Sequence, residues 1–433
     1  MLTRKKFVFF YVTLSFLALL LILHNSDRII YCVNPKFEVL QTTPKPSFEV
    51  LEASTPTLLI DRACECVSSR TRESFDFCYK NPKNVSLVGK RFNCTWLSIL
   101  EDLKLIGSHE QIMVELKRPV KNDSDIMFVS ATSKNHLFNF NEMYNIVHRN
   151  WPNQNMILYS LDLTDAQILD IEKRPTVKVR KFDYSKYPNY VENWMEYRFK
   201  ALILAEAIRD YANVWWIDAH TKWIHPNSLD TVYGDLAECA NDVNCTKNSS
   251  IQTFINSTHS NYAVLTNGLL DYFPTFDTDV LKTNEKGLQV SAMLVYLART
   301  PFTLEILKWH TLCALEEKCM NPPAAKLKCD IIPTWNSYAG CFRYDQSSIN
   351  ILLLNQFRDH NSYFMAKNIT GVFLFGFPPG STLTTYISVY QLVLSLGLSK
   401  NCQLGTVKVE KCKSNRKNTL ICCYSLLMQS YLC

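Results

Sequence analysis

The sequence predicts an α/β fold on a mostly parallel, doubly wound sheet. From Ser124 onward, short apolar runs alternate with helical ones, a pattern that lays parallel strands side by side with helices packed on them. The run at 213–217, with Trp215 and Trp216 at its centre, has the length and aromatic content of a buried strand rather than a helix.

In chain order the pattern predicts a strand at 126–130, a helix around 140–149 and a strand at 156–160. A helix around 165–172, a strand at 177–182, an amphipathic helix at 195–211 and a strand ending at Asp218 follow. A further strand is expected at 291–297, between Gln289 and Arg299, with a helix running through Trp309 and an apolar stretch at 349–354. No glycine-rich phosphate loop follows the first strand, which disfavours a Rossmann dehydrogenase or a P-loop enzyme.

Outside this core the text changes. Arg4, Lys5 and Lys6 precede an apolar run at 7–23 that is interrupted only by Thr13 and Ser15. The run is long for a signal-peptide core and lacks an evident cleavage site, so it is expected to be a signal-anchor helix with residues 1–6 cytoplasmic and the rest luminal. That arrangement describes a single-pass type II protein of the Golgi or ER membrane. Residues 24–60, with Pro35, Pro44, Pro46 and Pro56, read as a stem. A cysteine-containing subdomain is expected at 61–123, the main luminal domain at 124–370, and 371–433 is a cysteine-rich tail without assignment.

All 16 cysteines lie beyond the apolar run, as expected in an oxidising compartment. Ten of them fall in groups, Cys64, Cys66, Cys78 and Cys94, then Cys239 with Cys245, then Cys313, Cys319, Cys329 and Cys341, and the pairing within each group stays open. Paired Cys-x-x-Cys knuckles are absent, which argues against structural zinc. Glycosylation sequons begin at Asn84, Asn93, Asn122, Asn244, Asn248, Asn256 and Asn368, consistent with a glycoprotein, and the crowding between Asn244 and Thr258 predicts an exposed insertion there, outside the core. A net charge of +6 with dispersed basic residues gives no nucleic-acid footprint.

Asp218 stands where its strand meets a loop, the position at which open α/β sheets present ligand-binding groups. With His220 two residues on, it forms an Asp-x-His pair suited to a divalent cation, expected to be Mn²⁺, that neutralises a departing diphosphate. The same residues can be read as a turn cap and a loop histidine.

Several separated segments resemble one family. They are Ile126-Met-Phe-Val-Ser-Ala-Thr-Ser133, Val179-Arg-Lys-Phe-Asp-Tyr184 followed by Tyr187 and Pro188, Glu196-Tyr-Arg-Phe-Lys200, Val214-Trp-Trp-Ile-Asp218, Cys313-Ala-Leu-Glu316 with Cys319, and Cys341-Phe-Arg-Tyr-Asp-Gln-Ser347. Together they resemble a nematode-expanded family of uncharacterised single-pass membrane proteins, defined by a domain of unknown function and similar to glycosyltransferases of the GT-A fold. The resemblance implies a disulfide-stabilised, GT-A-like luminal domain that moves a sugar from a nucleotide-sugar donor to a glycan or glycoprotein acceptor. A noncatalytic glycan-binding or partner protein on the same fold is the alternative.

On this reading Lys200, Asp218, Arg343 and Gln346 would bind the donor, and Asp345 would act at the acceptor as a base. Asp218, His220 and the downstream His360 would hold the metal. Each has a plainer reading: Lys200 as a solvated lysine at a helix start, Arg343 as the partner of the Asp345 carboxylate, Asp345 as a helix cap, and His360 as a loop histidine.

Overall fold

The computed structural model describes residues 61–107, 113–114, 126–223, 228–241, 249–275 and 277–365. The expected anchor at 7–23, the stem, the tail at 371–433 and the sequons at Asn122, Asn244, Asn248 and Asn368 lie outside the described residues. No helix among the described residues is long and apolar enough to cross a membrane.

Two antiparallel hairpins open the described chain, β1 (Glu65–Val67) with β2 (Ser74–Asp76), and β3 (Cys78–Asn81) with β4 (Asn84–Arg91). Such short strands hold little apolar surface, and the Cys64–Cys78 and Cys66–Cys94 disulfides staple them together. The short helix α1 (Leu97–Asp102) follows. Tyr79 sets its ring 5.2 Å from Phe273 and 5.4 Å from Trp309, so the expected N-terminal subdomain shares its core with the main domain.

The central sheet has six strands. β5 (Ile126–Thr132), β6 (Met156–Ser160), β7 (Val177–Lys181) and β8 (Asn213–Ile217) run parallel in the order β7-β6-β5-β8. The sheet is completed by β12 (Leu294–Ala298), antiparallel to β8, and by the edge strand β9 (Ile251–Thr253). Because β6 and β7 extend from one side of β5 and β8 lies on the other, the winding reverses between β5 and β8.

Alternation along β8 builds both layers. Val214 and Trp216 enter one buried cluster and Trp215 and Ile217 the other, as the period of two requires. The Trp216 face is covered by helices Arg198–Asp210 (α4), Pro301–Leu315 (α7) and Tyr344–Phe357 (α9). On the Trp215 face lie Leu137–Asn150 (α2) and Ser228–Asn241 (α5). Helix α3 (Asp165–Glu172) links β6 to β7 and starts at a reciprocal capping box between Thr164 and Gln167. Helix α7 starts at Thr300, whose hydroxyl accepts from the Thr303 N–H, with Pro301 in the first turn.

Two expectations need correction. The expected exposed insertion up to Thr258 is not outside the core: Ile251–Thr253 is a fully buried sheet strand, and β10 (Asn256–Ser260) ends on buried His259 and Ser260. Asn256 itself is exposed, as are Asn84 and Asn93. The single strand expected at 291–297 is two: β11 (Leu288–Val290) pairs with β10 in a separate ribbon, and the chain re-enters the main sheet at Leu294. The break at Ser291–Met293 has a physical cause, because its carbonyls serve the end of β8 rather than a ladder. Ala292 O accepts from Lys200, and Met293 O accepts from the Asp218 N–H and the Thr221 hydroxyl.

Candidate functional site

Three elements deliver a charged cluster to the carboxyl end of β8. Helix α4 presents Lys200 in its first turn, β8 ends at Asp218, and helix α9 presents Asp345 in its first turn. The Lys200 ammonium is 3.0 Å from Asp218 Oδ1, 3.2 Å from its Oδ2 and 3.1 Å from Asp345 Oδ2. Its third donor direction is taken by Ala292 O at 3.3 Å, and the Trp216 ring lies 5.4 Å away. The Trp216 indole N–H donates to Asp218 Oδ1 at 2.6 Å, so both Asp218 oxygens already have partners.

Burial divides the cluster. The side chains of Lys200 and Asp345 are 5% and 6% exposed, whereas that of Asp218 is 20% exposed and forms its outer face. Burial alone would lower the Lys200 ammonium, but the two carboxylates more than reverse this and hold it above its ordinary value. Burial raises the Asp345 carboxyl, with Lys200 opposing the shift. Asp345 Oδ2 meets Lys200 as an ion pair at 3.1 Å and has no further hydrogen-bond partner among the described residues.

Both helices that supply the cluster begin under backbone strain. Tyr197, the N-cap of α4, has φ +53°, and Tyr344, the first residue of α9, has φ +41°. Aromatic residues rarely take this left-handed region, and non-glycine residues that do so often sit at functional sites. The expected helix at 195–211 therefore starts at Arg198, after a turn at Trp194–Glu196.

The remaining expected residues are placed as follows. Arg343 does not pair with Asp345. Its guanidinium donates to Leu327 O and to Cys329 Sγ of the Cys329–Cys341 disulfide, with no carboxylate in ion-pair range among the described residues, and burial lowers its pKa. Gln346 donates to Gln289 Oε1 at 2.7 Å and to Ser257 Oγ, bracing β11 against β10 rather than facing Lys200.

His220 turns its Nε2 to His136 Nδ1 at 3.1 Å, with the rings 4.7 Å apart. Its pKa is lowered by burial and by His136. His360 is buried elsewhere, its N–H donating to Lys286 O and its ring beside Phe364.

The ligand atoms of Asp218, His220 and His360 are therefore not gathered. Among the described residues the one set of three or more potential ligand atoms within 4.8 Å of one another is Cys64, Asp76 and Cys78, whose two sulfurs are already bonded to each other. With the Asp218 oxygens committed to Lys200 and Trp216, and the three ligand groups not gathered, the expected three-residue metal set does not fit.

No site role was expected for His136, Trp216, Ala292 or Ser133, although Trp216 and Ser133 stand in the segments that carry the family resemblance. His136 ends the turn Lys134–His136 just after β5, and Ser133 Oγ is buried there without a hydrogen-bond partner. The β5 and β8 loops thus meet where the winding reverses, the crevice that open α/β sheets use for ligands. A signal existed in the residues just past the first strand, but it is readable only once the strand order is known.

The known structures to which this one is similar include a galactosyltransferase, LgtC, in complex with donor and acceptor sugar analogues. It is 10% identical, with a TM-score of 0.31, covering 55% of this chain and 72% of that one. Core-mannan synthase A (CmsA/Ktr4) of Aspergillus fumigatus in a Mn/GDP form is 10% identical, with a TM-score of 0.34 and coverage of 60% and 79%. TarS of S. aureus is 12% identical, with a TM-score of 0.26 and coverage of 44% and 55%. No curated protein matches the chain in sequence. Residues 64–205, from the first disulfide hairpin through most of α4, match the family described as Protein of unknown function (DUF1647).

Proposed function

We propose that the protein is a glycosyltransferase of the secretory pathway, holding a nucleotide-sugar donor in the crevice outside β5 and β8 and passing the sugar to a glycan or protein acceptor. The observation that carries this reading is the meeting of His136 and His220 across the point where the winding reverses, directly beside the buried Lys200–Asp218–Asp345 cluster. Ser133 Oγ, buried on the same edge, has no hydrogen-bond partner among the described residues.

In such a transfer the bond between the anomeric carbon and the diphosphate oxygen breaks while an acceptor hydroxyl bonds to that carbon. The hydroxyl proton leaves, and negative charge collects on the diphosphate. Lys200 fixes the Asp218 carboxylate at the crevice edge, and Asp345 fixes Lys200 in turn. Arg343, whose guanidinium donates to Leu327 O and Cys329 Sγ and meets no carboxylate among the described residues, would be a cation for an anionic group.

A luminal, type II placement is part of the proposal. It is supported by the basic residues and apolar run at the N-terminus and by the described disulfides, which belong to oxidising compartments.

One observation favours the noncatalytic alternative. Asp345, expected as the base, is buried against Lys200 and out of reach of an acceptor. Incubating the full chain with UDP-, GDP- and CMP-sugars separates the two readings. Release of nucleotide that is abolished in Asp218→Ala supports the transferase, and release that persists in that variant removes Asp218 from the site. Glycan binding without nucleotide turnover favours the noncatalytic protein.

A further inference from the structure

Arg343 is the N-cap of α9 and stands beside the loop that the Cys329–Cys341 disulfide closes. Its guanidinium is half-buried and reaches Leu327 O at 3.2 Å and Cys329 Sγ at 3.4 Å. Those contacts use two of the five N–H donors that a guanidinium offers, and the others have no partner among the described residues. Nearby charges are spent on one another, Lys326 on Asp330 at 2.7 Å and Asp345 on Lys200 at 3.1 Å. A half-buried cation with donors to spare and no counter-ion among the described residues is set to take an anion from outside the chain.

The loop beside it is fixed by hydrogen bonds and apolar at its tip. The Asp330 N–H donates to Ala339 O and the Ala339 N–H to Ala263 O, both at 2.8 Å, while Ser260 on β10 holds Thr334 O through its N–H and Trp335 O through its hydroxyl. So fastened, the loop keeps Ile331 53%, Ile332 83% and Tyr338 46% exposed. Large apolar side chains held in water by a fixed backbone mark a contact surface.

This place differs from the donor crevice. His136 and His220 meet outside β5 and β8, whereas the Arg343 loop is tied through Ser260 to the β10–β11 ribbon. The Tyr197 phenol, raised by burial, feels the charges of Lys200, Asp345, Asp218 and Arg343, so Arg343 borders the same buried cluster.

We infer that Arg343 and the Cys329–Cys341 loop form an acceptor subsite for an acidic glycan, the guanidinium pairing with a sugar carboxylate while Ile331, Ile332 and Tyr338 pack against the apolar C–H faces of the sugar rings. A carboxylate matches the planar guanidinium fork. That the bound glycan is an acceptor rests on the glycosyltransferase reading. Binding of the acid does not.

The test is calorimetric titration of the full chain, without nucleotide, with two matched pairs of probes: a hyaluronan hexasaccharide against its carboxyl-reduced form, and sialyllactose against lactose. One acid is expected to bind roughly tenfold more tightly than its neutral partner, the worth of a charge-assisted hydrogen bond. That preference should vanish in Arg343→Gln, be partly kept in Arg343→Lys, and be unchanged in Lys178→Gln, an exposed lysine on the edge strand β7. Ile332→Ser, at an exposed position that the fold does not depend on, should weaken both members of the pair alike. Thermal melts that match the unsubstituted chain show that each variant is folded. Equal affinity within both pairs, an acid preference that survives Arg343→Gln, or binding to phosphatidylserine vesicles with none to the oligosaccharides would overturn the inference. Acid-selective binding by a chain that responds to no nucleotide would uphold the acid site while removing the transferase reading.

Discussion

Lys200 and Asp218 are 18 residues apart in sequence, on a helix and on the strand that follows it, and the Lys200 ammonium reaches both carboxylate oxygens at 3.0 and 3.2 Å. Asp345, from a helix that begins more than a hundred residues later, lies 3.1 Å from the same nitrogen. One ammonium thus ties two helices to the end of the strand at the centre of the sheet. Its aromatic neighbours, Trp216 and Tyr197, exclude water from it.

Removing that ammonium leaves two carboxylates facing each other in a nearly dry site. Lys200→Met is expected to lower unfolding stability by about 3–5 kcal/mol, the usual cost of stranding a buried charge. Urea unfolding measures it. Adding Asp345→Asn should restore part of the loss, because the second change removes one of the stranded charges. A strictly additive double variant would show that the two groups do not interact.

Stability should fall on mild acidification. His310 is fully buried, its Nδ1 is 2.6 Å from Ser348 Oγ, and burial pushes its pKa down from 6.5 to about 3. The unfolded chain takes up a proton below pH 6.5 that the folded chain refuses. The contribution is therefore complete above 6.5 and is lost progressively as pH falls toward 3. Burial lowers His220, His259 and His360 as well, with the same sign.

Asp345 acts in the opposite sense. Its carboxyl is raised, so its contribution is present below the ordinary carboxylate range and is lost as pH rises through its native value. Urea midpoints at pH 7.5 and pH 5 are expected to differ, the lower one at pH 5, with a shallower dependence in His310→Gln. Equal slopes in the two proteins would exclude His310 as a source.

The Cys329–Cys341 disulfide closes a loop with a sequence separation of 12 that leads into Arg343 and α9. Replacing both cysteines with serine should cost about 2–4 kcal/mol, chiefly by releasing the unfolded chain. The Sγ contact of Arg343 would go with it. A lower urea midpoint, with a slope that rises because the freed unfolded chain exposes more surface, is the expected result.

Much of this architecture was legible before the structure. Apolar runs at 126–130, 156–160 and 213–217 each became a parallel strand, because burial on both faces leaves a nearly continuous apolar text, and the alternating run at 177–182 became the half-exposed parallel strand at the sheet edge. Lys200 and Asp218 were singled out for the site, and they do meet.

What was hidden depends on contacts distant in sequence. Strand order is set by crossovers, so His136 could not be matched to His220 from spacing alone. The break at 291–293 exists to direct carbonyls at Lys200, Asp218 and Thr221, a demand that local β-propensity does not encode. The buried strand at 251–253 was obscured by the polar, sequon-rich text around it. For Asp345 the motif was visible, but its inward orientation was not.

The central claim, that the crevice between the β5 and β8 loops holds a nucleotide, is tested most directly by thermal unfolding of the full chain with UDP, GDP and CMP, each with and without Mn²⁺. A ligand that binds only the folded state raises its apparent stability by mass action. The account predicts a saturable rise in melting temperature for one nucleotide class. A cooperatively unfolding protein whose melting temperature ignores all three nucleotides would contradict it.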